Sequence, residues 1–366
     1  MSTIQIDILT PVYGNSGVEN IIRELGPYLL QNGFHVRIVS LMWKGRGEIP
    51  DTIEFFPLSD GSEESPFDHF AKNYAEFLQK HGKPDIILAT AWPILTFVAR
   101  LVIQELNHGS CKIISWPHQP IDVYVSDGYG GMECFKLSDA VFVLNRKTYD
   151  LILARDHNCN VIQVRNPVNF TKRPLRSRNG RNEKTLLFIG RIASQKRQDN
   201  ILQAISRTKD RWKLIMIGDG DEKNDLPELI DLLHIKDQVE LIGWQADPWE
   251  YADGISAMVM ASDFECLPMT ALESLASGIP VISTPVDGII EIIKPGVNGF
   301  LYPFEDINGL TNILDAMSDG ILPEISPEAC RASVMPFEEE KVLCDFREKL
   351  LMVYYNTYQD RNPNHE

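Results

Sequence analysis

The sequence lacks an excess of basic residues. It contains 35 lysine and arginine residues against 51 aspartate and glutamate residues, which gives a formal net charge of −16. This charge argues against general binding to nucleic acid and provides no overall attraction to anionic lipid. We therefore expect no nucleic-acid partner, while a local basic patch that contacts a membrane surface stays an open alternative.

The sequence also lacks the features of membrane-spanning and disulfide-rich proteins. The longest apolar stretch, residues 86–99, is too short to span a bilayer and contains Pro93. Residues 1–9 show no basic segment followed by a long apolar core, so we expect no signal peptide. The six cysteine residues form no Cys-x-x-Cys pair, and their spacing is not that of a disulfide scaffold. A reduced cytoplasmic protein is the simplest interpretation.

Two series of strand patterns that alternate with helical patterns indicate an α/β protein with mostly parallel sheets. The length of 366 residues suggests about two domains, and a hydrophobic content of 44% is enough for substantial cores. We predict a first domain over residues 1–168, a linker over 169–184, a second domain over 185–335 and a C-terminal helical segment over 336–366. The linker is polar and basic, and we interpret its lysine and arginine residues mainly as solvated charges, with lipid contact less favoured.

The strongest functional signal is the stretch Asp-Phe-Glu-Cys-Leu-Pro-Met-Thr-Ala-Leu-Glu, residues 263–273. It follows an apolar strand pattern, and a helix is predicted to begin at Pro268. The unpaired N–H groups at the start of such a helix favour a phosphate or diphosphate. Two carboxylates, Glu265 in the loop and Glu273 in the helix, flank this position. Considered alone, they are more simply explained as solvated charges.

Further polar loops follow other predicted strands. Arg191 and Lys196 leave a strand end through a short loop after Gly190, and both can point at one pair of phosphates. The alternative is that they are two exposed basic residues. The loop from Gly14 to Gly17 lets a ligand approach the backbone closely, although Gly-x-x-Gly alone is a weak signal whose simpler explanation is a tight turn.

A third loop, Gly218-Asp-Gly-Asp, resembles the Asp-x-Asp pattern of metal sites only superficially. It follows an apolar strand pattern and precedes a helical one, which is more typical of a turn. We therefore expect no metal ion and no other cofactor.

Together these motifs resemble those of the retaining glycosyltransferases of family 4, which carry a Glu-x7-Glu signature. Gly-Trp-Gln followed by Pro-Trp, at residues 243–249, is similar to bacterial lipopolysaccharide-core galactosyltransferases. The resemblance implies a GT-B fold, in which two Rossmann-like domains face a central cleft and the C-terminal helix crosses back to the first domain. It also implies that the first domain lies on the acceptor side and that the second binds the nucleotide sugar.

The resemblance assigns a role to each matching residue. It implies that Glu273 binds the ribose hydroxyls of the donor, that Glu265 contacts the transferred sugar, and that Arg191 and Lys196 bind the diphosphate. His118, in Ser-Trp-Pro-His-Gln-Pro, is implied close to the transferred sugar and completes the catalytic set with Arg191, Lys196 and Glu265. The other implied donor-binding residues are Gly14, Gly17, Gly190, Gly218, Trp244, Leu267, Pro268, Met269 and Thr270. The residues implied for the acceptor are Asn15, Glu19, Asp122 and Tyr124.

The activity implied by the resemblance is metal-independent transfer of a hexose from a UDP-sugar, with retention, to a saccharide or lipid-linked saccharide. UDP-galactose is the first expected donor, and UDP-glucose stays open because Cys266 stands where we expect glycine or another small residue. The implied location is cytoplasmic, with peripheral contact at the inner membrane left open.

Two other classes of protein remain as alternatives to a glycosyltransferase. An epimerase or hydrolase on the same plan would act on the UDP-sugar without an acceptor. A non-catalytic nucleotide-sugar-binding subunit would bind the donor and transfer nothing, although Glu265, Arg191 and Lys196 argue against it. An NAD-dependent dehydrogenase is less favoured because no Gly-x-Gly-x-x-Gly opens the first helix.

Overall fold

The computed structural model describes residues 3–14, 17–43, 45, 48–60, 66–176 and 184–357, without the side chains of residues 66–68. Asn15, predicted as an acceptor residue, lies outside these ranges. The chain divides into two units, one formed by Met1–Pro167 with Glu340–Glu366 and the other by Val168–Glu339. Each unit is built on its own parallel sheet.

The sheet of the first unit has seven strands in the order β3-β2-β1-β4-β5-β6-β7. All of its strand pairs are parallel, and Ile8 of the interior strand β1 lies in register with Ile38 and Leu88. Strands covered on both faces are expected to be almost continuously apolar, and β4 and β6 are buried throughout. The strands are β1 (Ile4–Tyr13), β2 (Phe34–Trp43), β3 (Glu54–Pro57), β4 (Ile86–Thr90), β5 (Lys112–Trp116), β6 (Ala140–Val143) and β7 (Val161–Gln163).

Helices lie in most of the connections between these strands, since parallel pairing needs a crossover connection that is usually helical. They are α1 (Gly17–Gln31), α2 (Pro66–His81), α3 (Ile94–Glu105), α4 (Ile121–Ser126), α5 (Met132–Phe135) and α6 (Arg146–Arg155). The side chain of Asn145 caps α6 by accepting a hydrogen bond from the N–H of Thr148, 2.8 Å away.

The sheet of the second unit has six parallel strands in the order β10-β9-β8-β11-β12-β13. They are β8 (Thr185–Ile189), β9 (Lys213–Ile217), β10 (Val239–Gly243), β11 (Ala257–Met260), β12 (Val281–Ser283) and β13 (Gly299–Leu301). The helices of this unit are α7 (Gln198–Ser206), α8 (Leu226–Leu232), α9 (Met269–Ala276), α10 (Ile307–Ser318) and α11 (Pro327–Ser333). The carboxyl ends of β8, β9 and β11 carry the loops that the sequence marks as functional.

The last helix, α12 (Glu339–Tyr354), packs on the sheet of the first unit. The ring of Phe346 lies 4.8 Å from that of Trp116 and 5.2 Å from that of Phe142, measured between centroids. The ammonium of Lys349 donates to the carbonyl oxygen of Gln163 at 2.8 Å. The chain therefore returns to its first sheet after completing the second. No helix among the described residues combines the length and the apolar character needed to cross a membrane.

Candidate functional site

Lys196 and Glu265 form an ion pair at the carboxyl edge of the second sheet. Lys196 ends a short 3₁₀ helix, Ser194–Lys196, that follows β8, and Glu265 lies in the loop between β11 and α9. The two loops are joined by a backbone hydrogen bond from the N–H of Asp263 to the carbonyl oxygen of Gln195, 2.9 Å long. Ser262 also donates to Glu265, at 3.2 Å. Both charged side chains are mostly buried, with 17% and 15% of their surface exposed.

Arg191 differs from Lys196 in its surroundings. Its side chain is exposed, and its guanidinium donates only a long hydrogen bond, 3.4 Å, to the amide oxygen of Gln195. Within the described ranges, no carboxylate forms an ion pair with it. Arg191 therefore keeps a cationic charge available to an anion, whereas Lys196 shares its charge with Glu265.

The loop before α9 is held tightly by packing. Cys266 and Leu267 are buried, and a β-carbon on Gly288 would lie 2.2 Å from the carbonyl oxygen of Cys266. Pro268 occupies the cap position of α9 in an extended conformation and provides no side-chain hydrogen bond to the helix. The first N–H groups of any α-helix have no acceptor within it, so those at Met269 and Thr270 can bind an anion.

Glu273, in the second turn of α9, uses both of its carboxylate oxygens. One oxygen accepts a hydrogen bond from the guanidinium of Arg173 at 3.3 Å, and the other accepts from the indole N–H of Trp249 at 3.0 Å. The side chain of Glu273 is 23% exposed. Burial raises the pKa of Glu273, and the charge of Arg173 and the bond from Trp249 oppose that rise.

Arg173 and Arg176 were predicted as solvated charges of the linker, and this prediction is wrong for both. Their side chains are only 15% and 19% exposed. Arg176 donates to the carbonyl oxygen of Trp249 at 2.8 Å, and its own N–H donates to the carbonyl oxygen of Ser277 at 2.9 Å. This part of the predicted linker therefore packs as part of the second unit, where both guanidinium groups find acceptors.

Glycine is required where the loops after β8 and β9 meet. A β-carbon on Gly218 would lie 1.8 Å from the carbonyl oxygen of Gly190, and one on Gly220 would lie 2.1 Å from that of Ile192. The N–H of Gly218 donates to the carbonyl oxygen of Gly243 at 2.9 Å, which brings in the loop after β10. Three loops therefore approach each other at backbone distance.

A depression of about 310 Å³ lies beside these loops, lined in part by Ile192, Gly218 and Asp219. Trp244, predicted near the nucleotide base, follows the lining residue Gly243 and is 59% exposed. A larger depression of about 440 Å³ lies at the opposite edge of the sheet, where β8, β9 and β10 begin, and none of the predicted site residues lines it. The smaller one is therefore the better candidate for a ligand.

Asp219, the first carboxylate of the Gly218-Asp-Gly-Asp loop, has partners close to it in the chain. Asp219 pairs with Lys223 at 2.9 Å and accepts a hydrogen bond from the N–H of Gly220 at 2.7 Å. The bond from Lys223 lowers the pKa of Asp219. Over the described ranges, no group of three or more histidine, cysteine, aspartate or glutamate side chains has the geometry to hold a metal ion.

In the first unit, His118 follows β5 and is held by a tyrosine. The hydroxyl of Tyr124 accepts hydrogen bonds from the N–H groups of His118 and Gln119, both at 2.9 Å. The imidazole Nε2 is buried and has no hydrogen-bond partner among the described residues. Burial lowers the pKa of His118 to about 3, so its ring is neutral at physiological pH.

The other first-unit residues predicted for the site differ in exposure. Asp122 is 81% exposed and lies 3.7 Å from Arg155, whereas Glu19 is buried in α1. Gly14 follows β1, and a β-carbon there would meet open space. Gly17 begins α1.

The structure therefore brings together Lys196 with Glu265, and Gly190 with Gly218. It adds Arg173 and Trp249, which the sequence interpretation did not assign to the site. Trp249 is the tryptophan of the Pro-Trp motif, and it is fully buried. Nothing in the local sequence connects Arg173 to Glu273, because the two residues are 100 positions apart.

Comparison with known proteins shows similarity to one family model, one relative in sequence and two solved structures. A family model described as "Glycosyl transferases group 1" matches residues 171–326. The chain is 30% identical over 277 residues to a lipopolysaccharide 1,6-galactosyltransferase of Escherichia coli, a match that covers 73% of this chain and 74% of that protein.

Two solved structures share the fold. The apo form of the lipopolysaccharide outer core galactosyltransferase WaaB superposes with a TM-score of 0.78 at 22% identity, over 97% of this chain and 100% of the other. HepE from Anabaena, in complex with UDP and glucose, has a TM-score of 0.78 at 15% identity, over 95% of this chain and 99% of the other. These similarities confirm the predicted α/β fold of the GT-B class, with two Rossmann-like domains.

Proposed function

The chain belongs to the family of group 1 glycosyl transferases, and we propose that it transfers a hexose from a UDP-sugar to a saccharide acceptor, with retention. The acceptor belongs to a bacterial surface glycan, lipopolysaccharide core or a similar one. The related Escherichia coli protein is named as a lipopolysaccharide 1,6-galactosyltransferase, which supports UDP-galactose as the first donor. UDP-glucose is the second, and the complex of HepE with UDP and glucose supports the uridine nucleotide.

The observation that carries this proposal is the joining of two loops at the carboxyl edge of the second sheet. The hydrogen bond between Asp263 and Gln195 holds Lys196 and Glu265 beside one another, directly before the N-terminus of α9. A cation, a carboxylate and free helix N–H groups together match a sugar diphosphate, since the diphosphate needs positive charge and the sugar hydroxyls need an acceptor. Ligands of open parallel sheets bind at this edge.

The proposed mechanism follows from the charges that develop during transfer. Breaking the bond between the sugar and the phosphate leaves negative charge on UDP and positive charge on the sugar ring. Lys196, Arg191 and the N-terminus of α9 stabilise the leaving diphosphate. Glu265 lies beside Lys196, where its carboxylate can accept from sugar hydroxyls. Retention results from attack by the acceptor hydroxyl on the face that UDP leaves, with the departing phosphate as base.

The neutral state of His118 determines its proposed role at the transferred sugar. An uncharged imidazole can exchange a hydrogen bond with a sugar hydroxyl without introducing a second positive charge beside the sugar ring. We also propose that no metal is required, that the protein acts in the cytoplasm, and that it contacts the inner membrane peripherally where a lipid-linked acceptor is presented.

A donor screen tests the proposal. UDP-, GDP- and ADP-sugars are supplied with and without core oligosaccharide or lipid-linked acceptor, and nucleotide release is measured together with the anomeric configuration of the product. We expect release from UDP-hexose that depends on the acceptor and gives a product of unchanged configuration. Release of free sugar or an epimer from the donor alone would indicate the hydrolase or epimerase class. Binding of UDP-sugar without any transfer would indicate a non-catalytic subunit.

A further inference from the structure

The carboxylate of Glu273 is held by two donors that approach different oxygens. Arg173 donates to Oε1 at 3.3 Å and Trp249 donates to Oε2 at 3.0 Å. A carboxylate oxygen can accept two hydrogen bonds, so each oxygen keeps one acceptor position beyond these contacts. Two fixed donors on two oxygens also prevent the carboxylate from rotating freely. The direction of the remaining acceptor positions is therefore set by Arg173 and Trp249.

The indole of Trp249 is itself fixed. The residue lies in a short 3₁₀ helix, Pro248–Tyr251, and is fully buried. The backbone N–H of Trp249 donates to the carboxylate of Asp247 at 3.1 Å, and the backbone carbonyl oxygen of Trp249 accepts from Arg176 at 2.8 Å. Because backbone and ring are both constrained, the indole N–H has one available direction, and it points at Glu273.

Arg173 is also fixed by several contacts, although it belongs to the segment that links the two units. Its guanidinium lies 3.6 Å from Asp247 and 5.4 Å from the centre of the Trp249 ring. Its carbonyl oxygen accepts a hydrogen bond from Arg331, whose guanidinium also donates to the carbonyl oxygen of Ala276 at 2.7 Å. Ala276 ends the helix that carries Glu273. The linker is therefore tied to this helix at both the side chain and the backbone of Arg173.

We propose that Trp249 and Arg173 are positioning residues, which orient the carboxylate of Glu273 so that its remaining acceptor positions receive the two ribose hydroxyls of the donor nucleotide. This inference rests on the proposed function, in which Glu273 binds ribose. It extends that function by making the pair a determinant of specificity for ribonucleotides. A deoxynucleotide leaves one oriented carboxylate oxygen without its hydroxyl partner, and a site built to bind a hydroxyl rejects the analogue that lacks it.

The test is a calorimetric titration of UDP, 2′-deoxy-UDP and 3′-deoxy-UDP against the full chain and its variants. We expect the wild-type protein to bind UDP about 10- to 100-fold more tightly than either deoxy analogue, the range of one charge-assisted hydrogen bond. Trp249→Phe keeps a buried ring and removes only the indole donor. We expect its affinity for UDP to fall toward that of the analogues, so that the preference shrinks to about threefold or less.

Matched controls separate positioning from general damage. Trp212 is a buried tryptophan of the same unit, next to the start of β9, and Trp212→Phe should keep the wild-type preference. Arg173→Gln should reduce the preference as Trp249→Phe does, and Arg173→Lys should restore part of it because the charge returns. Arg211→Gln, at an arginine that is 69% exposed, should change nothing.

The outcomes distinguish the inference from the function on which it rests. If the wild-type protein binds UDP and both analogues equally, Glu273 does not bind ribose, and both the assignment and the inference fail. If the wild-type protein prefers UDP and both Trp249→Phe and Arg173→Gln keep that preference in full, the proposed function stands and the positioning role is wrong. If one of these variants does not fold, the other decides between these outcomes.

Discussion

Lys196 donates a hydrogen bond to Glu265, a residue 69 positions away in the chain, and this pair joins the two segments with the strongest functional signals. An ammonium group has three donors, so Lys196 can keep this bond and still donate to phosphate oxygens. The pair therefore links the group that we propose to stabilise the diphosphate to the group that we propose to face the sugar.

Lys196→Ala should lower kcat by about 10²- to 10³-fold, the usual scale for one electrostatic group that stabilises a leaving oxyanion. Steady-state kinetics with the UDP-hexose and acceptor identified in the donor screen measure the change. Lys209→Ala is the matched control, since Lys209 lies in the same unit, is 68% exposed and pairs with Asp319. A kcat near that of the wild-type enzyme would remove Lys196 from the mechanism.

The tyrosine that holds the His118 loop gives a second prediction. Tyr124→Phe removes the acceptor of two backbone N–H groups, those of His118 and Gln119, while it keeps the buried ring. We expect kcat to fall by about tenfold, as a lost hydrogen bond of 1–1.5 kcal/mol implies, because the imidazole is no longer held in place. The Kd for UDP should not change. A loss of UDP affinity with unchanged kcat would contradict this role, and the predicted contact of Tyr124 with the acceptor stays a prediction.

Stability should depend on pH through His118. Burial lowers its pKa from 6.5 to about 3 in the native state, so between these values the unfolded chain binds more protons than the native one. The free energy of unfolding therefore falls as the pH decreases through this window, and this loss is absent well above pH 6.5, where the imidazole is neutral in both states.

Thermal unfolding at pH 7.5, 6.5 and 5.5 measures this effect. The wild-type midpoint should decrease with pH more steeply than that of His118→Gln. His157→Gln, which changes an exposed histidine of the same unit, should follow the wild type. Parallel curves for the wild type and His118→Gln would show that His118 is not buried as described.

The contact between Gly218 and Gly190 gives a prediction about stability. Gly218→Ala would place a β-carbon 1.8 Å from a carbonyl oxygen, and the backbone of Gly218 has a φ of +151°. We expect a loss of about 2–4 kcal/mol in the free energy of unfolding, from overpacking together with backbone strain. Gly243→Ala is the control, since Gly243 has a φ of +79° and its β-carbon would meet no atom within 4 Å. Chemical denaturation measures the free energy of unfolding of both variants. Equal losses for Gly218→Ala and Gly243→Ala would mean that Gly218 does not approach Gly190 closely.

Activity should survive treatment with EDTA. Asp219, the first carboxylate of the Asp-Gly-Asp turn, is already paired with Lys223, and binding a divalent cation there would require breaking that pair. Nucleotide release from the UDP-hexose and acceptor is measured before and after chelation. Activity that is lost with EDTA and restored by manganese would overturn the prediction.

Local patterns in the sequence predict the strands, the loops after them and the residues that those loops carry. The apolar run before residue 261 predicts β11, and the polar loop after it contains Glu265 because loops follow the carboxyl ends of strands. Contacts between distant segments could not be predicted in the same way. Arg173 looks like a solvated charge in its own surroundings, and only the packing of the linker against α9 shows that it binds Glu273. The two tryptophans of one motif also differ, with Trp249 buried and Trp244 exposed, because burial depends on neighbours that the local sequence does not specify.

The return of α12 to the first sheet has a consequence for how the protein is made. During synthesis on a ribosome, N-terminal units generally fold first. Here the rings of Trp116 and Phe142 cannot pack against Phe346 until the entire second unit has been translated. The nascent first unit therefore exposes apolar surface while the second is being made. A chaperone that binds apolar surface would bind this first unit before the finished chain is released. A fragment that stops at residue 339 would leave the same surface uncovered.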